Sequence, residues 1–386
     1  MARKQSTRKP LVDPTDEACR LHDLAVSRRA EGKLQQAESF ARRSLEMFEE
    51  ACGPNHPDVA NVLNNLAGVY EDWGHYSRAE KLYHRSTKIM EKIADGPDLE
   101  RLRVQSLSGL AGAYRAQGRY NQAELAYQEA LAMAERALGP KDLEVSSVLN
   151  NLAVLYKYTG RSTEAARLYR RALAITEKAL GPNHPEIATI YHNLGGLEHS
   201  RGRFARGEPY ARRSVEIRQK ALGLNHPQVA ADMAALAALL DGQGKYDEAE
   251  SLYLRALRVF ERIYGEEHYE IAVNLNNLAA LQHAKGNDNK AEPLYRKALA
   301  MKEKLLGGNH PDVAMTLNNF AVFYKDQGKL DRAERMYRRS LRIFEKALGP
   351  RHPKVRTCLL NYASLLRAMN RPSEAKKLEL RAKGRK

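Results

Sequence analysis

The chain has 386 residues, 43% of them apolar, with 63 Lys and Arg against 47 Asp and Glu, a net charge of +16. That apolar share can build a continuous core, yet no apolar run approaches the ~18 residues that cross a membrane. Three cysteines (Cys19, Cys52, Cys358) show neither metal-binding nor paired spacing, which fits a reducing compartment and predicts a cytoplasmic protein.

Residues 1–12 carry Arg3, Lys4, Arg8 and Lys9 and lead into no apolar segment, so they read as a basic flexible tail rather than a secretory signal. From residue 13 to 383 the chain is periodic. Its marker is a glycine at Gly32, Gly74, Gly118, Gly160, Gly202, Gly244, Gly286 and Gly328, completed by Asn370. Each step is 42 residues except the 44 between Gly74 and Gly118. Asn fits the series because, after Gly, it best tolerates the left-handed conformation that ends a helix. Nine such points define a repeat array instead of separate globular domains. Residues 384–386 form a short basic end.

Each repeat predicts two helices. In LNNLAVLYKYTG (149–160), Leu149, Leu152, Leu155 and Tyr156 share one helical face, and Gly160 stops the helix. RSTEAARLYRRALAITEKAL (161–180) supplies the second helix, with Ala165, Leu168, Tyr169, Ala172, Leu173 and Ile175 inward. One small position recurs in each helix, for example Ala67 and Ala79, Ala153 and Ala165, and Gly195 and Gly207, as a close helix crossing requires. Pro209 and Pro293 fall inside second helices and predict local kinks.

The connector GPNHPEIA (181–188) recurs with small changes at 53–60, 223–230, 307–314 and 349–356. Gly181 ends one helix, Pro185 starts the next with a preset φ, and Glu186 places negative charge at the helix's positive end. His56, His184, His226, His268, His310 and His352 lie whole repeats apart with no second ligand nearby, so they are connector residues and not metal ligands.

The phrase Leu-x2-Leu-Ala-x2-Tyr…Ala-x3-Tyr, seen in Leu149–Tyr169, resembles the tetratricopeptide repeat (TPR) pattern, with Leu in its usual Trp slot. The 42-residue period, LNNLA and LGxxHPxVA are similar to the kinesin-light-chain type, over roughly residues 15–383. The resemblance implies an all-α, right-handed superhelical solenoid of about nine helix-turn-helix repeats, whose first helices line a concave groove.

No phosphate loop, zinc-protease, nucleophile-elbow or dinucleotide motif is present, so no enzyme, cofactor or metal is expected. The groove offers two ladders. Asn65, Asn151, Asn193, Asn277, Asn319 and Asn361 recur in mid-helix, where Asn is a mediocre helix former. Each amide either grips the backbone of an extended peptide or bonds the neighbouring repeat and sets the stacking. Six residues on stand Arg29, Glu71, Arg115, Lys157, His199, Asp241, His283, Lys325 and Arg367. The cations Arg115, Lys157, Lys325 and Arg367 with the amides suit an acidic extended peptide. The repeat holding Ala234, Ala235 and Asp241 lacks both features, and the one holding Ser108 and Gly109 lacks the amides. The expected function is a non-catalytic interaction scaffold for extended acidic peptide segments. The alternatives are a basic nucleic-acid-associated protein, weakened because ten of 19 tyrosines fill core slots, and a regulatory subunit docking on an effector enzyme.

Overall fold

The computed structural model describes residues 14–93 and 96–384. The basic tail expected at 1–12, residues 385–386 of the basic end, and residues 94–95 within the 44-residue step lie outside the described residues. The described residues form eighteen α-helices and no strand. In chain order these are α1 (Pro14–Ala30), α2 (Leu34–Cys52), α3 (Pro57–Asp72), α4 (Tyr76–Met90), α5 (Pro97–Ala116) and α6 (Tyr120–Ala137). Next come α7 (Leu143–Tyr158), α8 (Ser162–Leu180), α9 (Pro185–Ser200), α10 (Phe204–Leu222), α11 (Pro227–Asp241) and α12 (Tyr246–Tyr264). The last six are α13 (Tyr269–Ala284), α14 (Asp288–Leu306), α15 (Pro311–Asp326), α16 (Leu330–Leu348), α17 (Pro353–Ala368) and α18 (Pro372–Ala382). α10 and α14 continue as single helices through Pro209 and Pro293.

Two compact units divide the chain, Met1–Leu110 and Ala111–Lys386. In the first, α1 packs on α2 and α3 on α4 around Phe48, Val59, Leu63, Ile89 and Met90. In the second, the pairs α7–α8 to α17–α18 stack in order, and each even helix packs on the next odd one. The crossings are set by fully buried small residues, such as Ala153 and Ala165 or Ala279 and Ala291. The backbones of successive odd helices approach each other, from α7 through α17, whereas the even helices meet through long side chains, as in the ion pairs Arg171–Glu135 (2.6 Å) and Arg212–Glu248 (2.9 Å). The odd helices therefore lie on the inside of the curve.

A polar joint repeats beside the alanine crossing. Glu124 of α6 accepts from Tyr156 Oη of α7 (3.0 Å), and Arg161 both pairs with Glu124 (2.5 Å) and covers the Tyr156 ring at 3.8 Å. Glu292 likewise takes Tyr324 (3.0 Å) and Lys329 (3.3 Å), and Glu334 takes Tyr362 and Arg371 (both 2.9 Å). Bonds from Arg296 in the one case and Lys245 in the other hold Glu292 and Glu208 down to about 2. These glutamates bind neighbouring repeats together, although α8 carries Ala166 in the same slot.

The connector histidines cap helices. In His56, His184, His226, His268, His310 and His352, Nδ1 accepts the backbone N–H two residues on, at 3.0 to 3.3 Å. Asp142 does the same for α7 at 2.8 Å. Side-chain acceptors of this kind satisfy an otherwise orphaned helix N–H. Two of these imidazoles do more. His310 Nε2 donates to Ala116 O (2.7 Å) and His352 Nε2 to Tyr158 O (2.6 Å), each bond spanning 194 residues. Within Ala111–Lys386 the coil thus meets itself, with Pro311 against Gly118 and Pro353 against Gly160.

Gly160 is constrained twice, by its φ of +81° and by Pro353, to which a Cβ would approach within 2.7 Å. Gly244 shares the left-handed φ, at +74°, but has nothing within 4 Å. Gly244→Ala should therefore cost only the backbone strain, about 1 kcal/mol. Gly160→Ala should cost a further ~1–3 kcal/mol for displacing the coil contact. Equal losses in paired thermal melts would contradict that contact.

Burial, with Lys354 adding repulsion, holds His352 below its ordinary 6.5, although its bond to Tyr158 O opposes the shift. The folded state thus disfavours the imidazolium, so this contribution is complete above about pH 6.5 and is lost as the pH falls below it. His352→Asn keeps a capping acceptor that does not titrate. From about pH 7 to about pH 5, the wild-type melting temperature should fall more steeply than that of the Asn variant. Parallel profiles would refute this role for the imidazole.

Candidate functional site

The inner face of Ala111–Lys386 is built from α7, α9, α11, α13, α15 and α17, and the amide ladder lies along it. Asn193 Nδ2 donates to Asn150 Oδ1 (2.9 Å), and Asn361 Nδ2 to Asn318 Oδ1 (3.3 Å), each joining adjacent repeats. Asn277 Oδ1 accepts from Asn276 (3.1 Å) and Asn319 Oδ1 from Asn318 (3.5 Å), neighbours on the same helix. In both, the Nδ2 donors remain for other partners. Asn151 is half-buried and makes no side-chain bond to the described residues. In the other unit, the Asn65 side chain is buried and its Nδ2 has no partner among the described residues.

The cation ladder splits in two. Arg367 is tied to Glu379 of α18 by two bonds, at 2.9 and 3.0 Å. Lys325 lies 3.4 Å from Asp326 and 3.5 Å from Ser364 Oγ. By contrast, Arg115 and Lys157 both approach the Tyr158 ring, at 5.7 and 5.5 Å from its centroid. Lys354, from the start of α17, reaches the same ring at 5.1 Å. Burial, reinforced by Arg115 and Lys354, pushes the Lys157 ammonium down to about 8. The Tyr158 hydroxyl is pushed up to about 12, again chiefly by burial.

Beside this cluster lie charges that sequence reasoning missed. Lys302 is buried and donates to Thr316 Oγ1 (3.1 Å). Asp312 accepts from Tyr269 Oη at 2.7 Å. Burial alone would raise Asp312, but Lys302, His310 and Lys354 hold it low. Arg218 and Asp232, both buried, pair at 2.9 Å, and His192 Nδ1 meets Asp232 at 2.7 Å. The repeat register held the signal. Arg218 and Lys302 occupy the slot that holds Phe48, Met90, Ala134, Thr176, Phe260 and Phe344 in other repeats.

Chemically, this face offers amide donors, ammonium and guanidinium groups and phenols, beside the buried carboxylates Asp232 and Asp312. Among the described residues, no group of three His, Cys, Asp or Glu is placed to hold a metal ion, and no helix is long and apolar enough to cross a membrane.

Known proteins resemble the chain mainly in its repeat. Mouse (Mus musculus) nephrocystin-3 is 47% identical over 55 residues, which are 14% of this chain and 4% of that protein. The chain thus matches only a small part of the curated relatives' length. Among solved structures, a Rap protein complexed with Competence and Sporulation Factor superposes with a TM-score of 0.68 at 13% identity, covering 96% of this chain and 97% of that one. The apo form of RapI gives 0.53 at 16% identity, covering 75% and 98%. At these identities the likeness is one of fold. The tetratricopeptide repeat family model matches residues 16–92, 102–178, 160–206, 186–261, 231–304, 270–346 and 312–383. With its glycine-punctuated helix pairs, alanine crossings and inner face of odd helices, the chain belongs to the tetratricopeptide repeat family.

Proposed function

We propose that this protein is a non-catalytic, cytoplasmic interaction scaffold whose inner face holds extended acidic segments of partner proteins. The observation that carries the reading is the state of the inner-face cations. Lys157 and Lys354 have no carboxylate within ion-pair distance among the described residues, whereas Lys325 lies 3.4 Å from Asp326 and Arg367 pairs with Glu379 at 2.9 Å. An inner face with cations to spare, flanked by amide donors at Asn151, Asn277 and Asn319, suits a ligand that brings carboxylates and backbone carbonyls. The fold neighbour complexed with Competence and Sporulation Factor is consistent with ligand binding by this architecture, but the chemistry proposed here rests on this chain's own residues. The proposal uses no residue of the basic ends, 1–12 and 384–386.

The amides give the test. Asn277→Ala with Asn319→Ala should leave the melting temperature unchanged or raise it, since Ala is the better helix former. Affinity for a glutamate-rich peptide should weaken by ~1–3 kcal/mol in total. Asn193→Ala or Asn361→Ala should instead lower the melting temperature, because each breaks a bond between repeats. A stability loss with unchanged binding in the first pair would make the ladder purely structural. Because the net charge is +16, the same titrations should include a single-stranded oligonucleotide. Tight, salt-resistant oligonucleotide binding without peptide binding would favour the nucleic-acid alternative.

A further inference from the structure

We propose that Arg115, Lys157 and Lys354, gathered around Tyr158 where α17 meets α7, form an anion site that anchors a carboxylate side chain of the bound acidic segment. The inference rests on the scaffold reading and gives it a specific anchor.

Three departures from the repeat register converge on this point. At the second position of the odd helices five other repeats carry Asp58, Glu144, Glu186, Glu270 and Asp312, as the positive end of a helix favours, and α11 carries the neutral Gln228. α17 carries Lys354 there, with the dipole against it. At the position of Tyr158 the other repeats hold Asp, Ala, Ser or Gly, so α7 alone presents an aromatic face. Gly196 of α9 leaves space beside Lys157, whose Nζ would lie only 3.3 Å from an added Cβ.

Together they collect three cations within 5.1 to 5.7 Å of one ring. The ring's negative face offsets part of their repulsion, worth less than a carboxylate would be. Lys157 has no carboxylate partner among the described residues, and its burial weakens its hold on its own proton. Nearby Asp312 is already engaged by Tyr269 Oη. A carboxylate entering between the ammonium groups would supply the missing countercharge. The site needs both turns of the coil, since Lys354 is brought to Tyr158 by the His352 Nε2 bond to Tyr158 O. An anion bound there would also tie α17 to α7.

The test uses the full chain and a fluorescein-labelled penta-glutamate peptide, with Lys157→Met and Lys354→Met as near-isosteric variants. Each should weaken binding by about tenfold or more. Lys354→Met also withdraws a cation that holds Asp312 low, so its starting stability does not enter the test. Without peptide, Lys157→Met should melt at or above the wild-type temperature, because an uncompensated charge has been removed. A lysine that only supported the fold would lower it. Inorganic sulfate, compared with chloride at equal ionic strength, should raise the melting temperature of the wild type more than that of either variant. If the wild type binds the peptide and both variants bind equally well, the anchor is refuted and the scaffold reading stands. If the peptide fails to bind while sulfate still discriminates, the peptide ligand is overturned and an oxyanion site remains. If neither effect is seen, both readings fall.

Discussion

A helix pair of this kind has one apolar face too many. Its second helix buries one side against its partner and must lay the other on the first helix of the next pair, so no repeat is stable without a neighbour. Two features set how the pairs meet. Alanine or glycine at the crossing lets the backbones approach, and a glutamate on the second helix takes the tyrosine hydroxyl and the cation that the next repeat presents. The small residue at the crossing recurs in every repeat, so the pairs step regularly. Curvature and the inner face are consequences of that repetition.

Regular stepping also explains how residues 194 apart meet twice. The bonds from His310 to Ala116 and from His352 to Tyr158 are one contact repeated after a 42-residue step. The histidines can make them because Nδ1 is already occupied by the helix cap, which leaves the proton on Nε2. A residue needed to start a helix thereby also fastens one turn of the coil to the next. The inner-face cations sit beside that fastening, which places ligand chemistry where the structure is held by few contacts.

Much of the fold was legible in the chain. Gly160 and Gly181 end helices where expected, Asn370 adopts the left-handed φ (57°) that its place in the glycine series implies, and Pro185 starts α9. These are local effects, and local effects are written in single residues. The histidine caps were less visible because His is an uncommon cap, and Asp142 in the same slot was the available clue. The meeting of α17 with α7 was not legible at all, since it depends on the sum of many small rotations. For the same reason sequence reasoning grouped Lys157 with Lys325 and Arg367 by register alone. In space Arg367 is neutralised by Glu379, while Lys157 joins Lys354, a residue from another ladder.

The central claim is that ligands enter along the odd helices. Amide hydrogen exchange of the full chain, with and without a glutamate-rich peptide, tests it most directly. New protection should concentrate in α7, α13, α15 and the first turn of α17, with α8, α14 and α16 unchanged on their outer sides. Protection confined to the even helices or to the basic ends of the chain would contradict an inner-face site.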